Sequence, residues 1–147
     1  VRLPQRQLEQ DLDLKARQFL IAQGRYIETI RLKNPVWAGA AGFQIGALYK
    51  EMYEVLLSAP MPPELDTDEK RQVYLELLRD KLRGLLERAR RIHEKNVEMA
   101  ERTGTDSDWI KRSGEQLAEL ERMLEAQGKG AEQPAAAPEA SAPAARP

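Results

Sequence analysis

The chain has 147 residues, no cysteine, 32% charged side chains and a formal charge of −1. Without cysteine there can be no disulfide, thiolate metal site or cysteine nucleophile, and near-neutrality removes any bulk attraction for nucleic acid or anionic lipid. The length suits one domain, and abundant Leu, Ala, Glu and Arg against two Phe and two Trp favour helix over strand. The chain begins with Val and shows no signal-peptide pattern, which reads as a piece of something longer. Periplasm, cell envelope and cytoplasm all stay open as its compartment.

A first helix is predicted from about Pro4 to Leu32. Pro4 suits a first helical turn, where its missing N–H is not needed. Leu8, Leu12, Phe19, Leu20, Tyr26, Ile27 and Ile30 then recur at three- and four-residue steps. Asn34-Pro35 ends that pattern, and Pro35 opens a second helix reaching about Ser58. The run APMPPELDTDE cannot be helical through Pro60, Pro62 and Pro63. It reads as a stiff connection, with Asp66 or Thr67 capping a third helix and Asp68 and Glu69 in its first turn.

The third helix is expected to reach about Arg102, before the stop signal Thr103-Gly104. At 100° per residue, Tyr74, Leu75, Leu78, Leu82, Leu85, Leu86, Ala89, Ile92 and Ala100 share one apolar arc. A fourth helix starts near Asp106 to Asp108, carries Trp109, Ile110, Leu117, Leu120 and Leu124, and ends near Gln127. These helices make an all-α domain over residues 1–127. Residues 128–147 (GKGAEQPAAAPEASAPAARP) have no large apolar side chain to bury and read as a disordered Ala/Pro-rich tail. PAAAP is one residue too long for a PxxP ligand core.

The least polar stretch, VWAGAAGFQIGALYKEMY (36–53), allows three readings. It is too short for a bilayer span, which needs about 20 apolar residues. No GK[ST] follows its glycines and no strand precedes them, so it is not a phosphate loop. What remains is a helix buried on more than one side, with Gly39, Gly42 and Gly46 letting neighbouring backbones approach. Glycine costs roughly 1 kcal/mol in a helix interior, so close packing must offset that.

His93 falls on the third helix's apolar arc, with Arg90, Ala89, Asn96 and Val97 one turn away. It therefore reads as a half-buried core histidine rather than a metal ligand. The basic-looking run RDKLRGLLERARRIHEK projects as an acidic spine of Glu76, Asp80, Glu87, Glu94 and Glu98 flanked by Arg and Lys. Interleaved signs of that kind make a solvated helix surface, not a nucleic-acid stripe. Ser58, Ser107 and Ser113 fall near helix ends, where capping explains them. The carboxylates lie on exposed faces without the apolar setting that tunes a general acid. The chain reads as no enzyme, with no catalytic residue, cofactor or metal.

With these helices in place, the chain resembles the tetratricopeptide repeat (TPR) family. In AQGRYIETIRLKNP, Ala22, Tyr26, Ile30, Leu32 and Asn34-Pro35 stand where a repeat's second helix has its small, aromatic and terminal positions. In IGALY, Ile45, Gly46 and Tyr49 match the first-helix L-G-x-x-Y pattern. In ARRIHEKNVEMA, Ala89, His93 and Ala100 resemble another second helix, and WIKRSGEQLAEL resembles a closing helix. The APMPP stretch stands as an insertion. The spacing of these features is similar to the C-terminal part of large delta-proteobacterial TPR proteins, some of which serve in the cell envelope, including gliding-motility complexes.

The resemblance implies antiparallel helix pairs in a right-handed solenoid. It implies a protein–protein interaction scaffold whose groove receives a peptide or helix of a partner. Groove-lining positions would be Ala40, Phe43, Ala47, Lys50 and Glu51, with Lys50 and Glu51 as polar selectors and Phe43 either in the groove or in the core. Gly42, Gly46, Tyr49, Ala89 and His93 would be structural. The other reading is a helical oligomerisation or coiled-coil scaffold built on the third helix, without a groove. The third helix's apolar arc is wider than a coiled-coil seam, which favours packing within a stack.

Overall fold

The local signals of the sequence place the helix ends. The computed structural model describes residues 3–132, with side chains from 10 to 128. It is all-α, with four helices: α1 (Leu3–Arg31), α2 (Pro35–Ser58), α3 (Asp68–Thr103) and α4 (Asp108–Glu132). The Asn34 side chain accepts from the Val36 and Trp37 amides, satisfying two amides that have no partner within the helix. Thr67 accepts from the Lys70 amide, with Asp68 and Glu69 in the first turn. Gly104 ends α3 in the left-handed region at φ 67°, where a residue without Cβ is unstrained.

The fourth helix runs five residues beyond the predicted end at Gln127, to Glu132. The remainder of the predicted Ala/Pro-rich tail, with its PAAAP segment, lies outside the described residues, as does the Leu8 side chain.

Each helix packs against the next, and α4 also lies beside α2. Contact partners fix the directions. Lys15 meets Glu51 and Gln23 meets Tyr49, so α1 and α2 are antiparallel. Gly46 faces His93 and Gly42 faces Asn96, so α2 and α3 are antiparallel as well. Gly39 faces Ile110 and Lys50 reaches Gln116, so α2 and α4 run the same way. α2 is thus the central helix, touched by all three others, while among the described residues α1 approaches α2 alone.

The core gathers Ile45, Tyr49 and Tyr53 of α2, Leu82, Leu86 and Ala89 of α3, and Leu120 of α4. Phe19 and Tyr26 of α1 pack onto it, Phe19 edge-on to Tyr49 with ring centres 5.0 Å apart. Not every predicted apolar position is buried. Leu20 and Ile27 lie on the outer side of α1 and are exposed. Leu75 continues the buried arc of α3 but is 46% exposed. The reason is length. Counted from the Gly46–His93 contact at 1.5 Å per residue, Ser58 comes level with about Lys81. The first three turns of α3 therefore run past the end of α2.

A candidate partner-binding face on α2

α2 has two unlike sides, and both follow from its small residues. Ala38, Gly39, Ala41, Gly42, Ile45, Gly46, Tyr49 and Tyr53 form the buried side. A Cβ at Gly46 would overlap the His93 ring, and one at Gly42 would stand 2.5 Å from Asn96 Oδ1. Any larger residue would have to displace the His93 or Asn96 side chain. This contact is why glycine is tolerated in mid-helix.

The α3 side of the contact is polar. His93 is 1% exposed, deeper than the half-buried position the sequence suggested, because the bare backbone at Gly46 lets the ring in. Burial, followed by the nearby charge of Lys50, lowers its pKa from 6.5 to about 4, so the ring is neutral at pH 7. Its Nδ1 is buried without a hydrogen-bond partner among the described residues. One turn on, Asn96 Nδ2 donates to the Gly39 carbonyl at 2.8 Å and to Ser113 Oγ at 2.7 Å. That single amide ties α2, α3 and α4 together. Ser113 is therefore not a cap. It lies in the second turn of α4, fully buried, because its small hydroxyl fills the space beside Asn96.

The other side of α2 is a stripe facing the gap between α1 and α4. Its edges are fixed by two ion pairs. Glu51 bonds Lys15 of α1 at 2.5 Å. Lys50 bonds Glu119 of α4 at 2.9 Å and Gln116 at 3.1 Å. The bond from Lys50 holds the Glu119 carboxyl below its ordinary pKa of 4.5. Ala40, Gln44 and Ala47 project between these edges and are half-buried.

Each predicted position can now be placed. Ala40 and Ala47 form the floor of the stripe. Phe43 is half-buried at its α4 edge, 5.6 Å from His93 and 5.5 Å from Trp109 between ring centres, so it contacts the core on one side. Lys50 and Glu51 are engaged within the chain. Gly42, Gly46, Tyr49, Ala89 and His93 are all buried. Sequence reasoning gave no role at this site to Asn96, Ser113, Trp109, Gln116 or Glu119. Asn96 could have been found, since an amide on an otherwise apolar arc requires a partner.

Scans of protein-family models, curated proteins and solved structures returned no match to this chain. Among the described residues no helix is long and apolar enough to cross a membrane. Nor does any group of three or more His, Asp or Glu side chains there stand where it could hold a metal ion.

Proposed function

We propose that this chain is a non-enzymatic protein–protein interaction module, a TPR-like scaffold whose α2 stripe receives a peptide or helix of a partner. The observation that carries this reading is the half-buried stripe of Ala40, Gln44 and Ala47 between α1 and α4. The two alanine methyls let an incoming backbone approach beside the Gln44 amide, and the bordering Phe43 and Trp109 rings offer the aromatic contact on which interfaces are anchored. The order of packing supports the repeat assignment. α1, α2, α3 and α4 correspond to a second helix, a full pair and a following first helix, with first helices α2 and α4 side by side.

In this reading Lys50 and Glu51 act through their ion pairs. They strap α1 and α4 to α2 and set the width of the stripe. The setting implied by the family resemblance is a bacterial cell-envelope assembly of the gliding-motility kind.

The test is capture from source-organism extract divided into soluble and membrane fractions. The parent chain is compared with an Ala40→Arg/Ala47→Arg variant of unchanged helicity and melting point. A partner retained by the parent and lost by the variant supports the stripe. Equal recovery by both would overturn it.

A further inference from the structure

α3 carries a second apolar face, opposite the one that builds the core. On it Val73 is 56% and Leu77 60% exposed. With Leu65 of the preceding loop and Tyr74 they line a shallow hollow edged by Glu69 and Lys70. A second hollow lies further along, between α3 and α2, lined by Leu56, Gly84 and Leu85, with Asp80, Lys81 and Arg88 at its edge; Leu56 and Leu85 also pack against the core. Nothing lies within 4 Å of where a Gly84 Cβ would be. Lys70, Val73, Leu77, Asp80 and Gly84 follow one another at steps of three, four, three and four, the spacing of a seam between two helices.

We propose that this face is a homodimer seam, in which α3 of a second copy packs antiparallel across a two-fold axis level with Leu75. The charges select both the partner and the direction. In this register Val73 meets Leu77 of the second copy, and Lys70 meets Asp80 at each end of the apolar pair. Leu65 of one copy comes level with the hollow beside Gly84 of the other. A parallel pairing would instead set Lys70 against Lys70 and Asp80 against Asp80. Asp80 makes no ion pair among the described residues, and Lys70 makes only an exposed one with Asp66, at 2.6 Å. Both are therefore available at little loss. With two apolar layers at its centre the seam is short, and the dimer it forms is weak and reversible. This assignment is independent of the α2 stripe.

The test is sedimentation velocity on the full 147-residue chain, at concentrations from about 5 to 500 µM, the range in which a weak dimer dissociates. The parent should pass from monomer to dimer. Lys70→Glu and Asp80→Lys should each weaken association about tenfold or more, since each sets like charges together twice. Mixing the two variants in equal amounts should restore it, because every contact in the mixed dimer is then Glu with Lys or Asp with Lys. The doubly swapped chain should associate like the parent, and Leu20→Glu on the outer face of α1 should change nothing. A monomeric parent over the whole range would overturn the proposal. So would a dimer indifferent to both variants, a mixture that stays apart, or dissociation by Leu20→Glu.

Discussion

His93 shows how a single side chain can couple the fold to pH. Its folded pKa of about 4 lies below the ordinary 6.5, so protons bind more tightly to the unfolded chain. The stabilising contribution is therefore complete above pH 6.5 and lost as pH falls from 6.5 towards 4. At full effect a shift of that size corresponds to about 3 kcal/mol. Glu119 contributes in the same direction but only below its ordinary 4.5, so the interval from 6.5 to 4.5 isolates the histidine. Urea midpoints followed across that interval should fall for the parent and stay level for His93→Gln, whatever the variant's stability at pH 7. A parallel decline in both proteins would mean that the ring is not held neutral by burial.

The histidine itself was legible in the sequence as a core residue on the α3 arc, because periodicity assigns a face. Its depth was not. Depth depends on Gly46 of another helix arriving opposite it, and no local pattern in α3 carries that information. The same holds for Ser113, whose role exists only because Asn96 lies beside it.

At the scale of an element, glycines divide by what surrounds them. Gly42 and Gly46 are filled positions, where added atoms must displace His93 or Asn96. Gly24, Gly84 and Gly114 have open space around them in mid-helix. Gly46→Leu should destabilise by about 1–3 kcal/mol or more through overpacking. Gly24→Ala and Gly114→Ala should each stabilise by about 0.5–1 kcal/mol through backbone entropy. Denaturant midpoints measured on these three variants should move in opposite directions. A Gly46→Leu protein that melts like the parent would place that glycine away from the helix contact.

Helix ends supply a second pair with opposite signs. Gly104 sits at φ 67° and Lys33, in the turn between α1 and α2, at φ 56°. The left-handed region costs a residue with a Cβ roughly 1–2 kcal/mol. Gly104→Ala should therefore lower stability and Lys33→Gly raise it, both by about 1 kcal/mol, in the same melts. The stop after Thr103 was readable because glycine announces it. The Lys33 conformation was not, since lysine carries no such signal; the residue follows the end of α1, its amide donating to the Ile30 carbonyl at 3.3 Å.

Across the whole molecule, Leu82, Leu86, Ala89 and Ala100 do share the buried side of α3, with the polar His93 and Asn96 among them. The exposed beginning of the arc at Leu75 follows from unequal helix lengths, which periodicity does not reveal. What the architecture provides is a central helix whose buried side is fixed by glycine contacts and whose open side is framed by neighbours on both flanks. The Lys15–Glu51 and Lys50–Glu119 pairs link α2 to both flanking helices. Ala40, Phe43, Ala47, Lys50 and Glu51 lie along one side of α2. Sequence reasoning could name them because they share one side of a single helix. It could not see that Lys50 and Glu51 hold partners within the chain, since those partners lie on other helices.

The account therefore rests on the α2 stripe being where a partner docks. The most direct measurement is site-specific photo-crosslinking in the source cell, with a benzophenone side chain at Ala47 and, for comparison, at Arg79 on the exposed side of α3. The account predicts one discrete cross-linked protein from Ala47 and none of the same mass from Arg79. Identical products from both positions, or none from Ala47 in a folded chain, would contradict it.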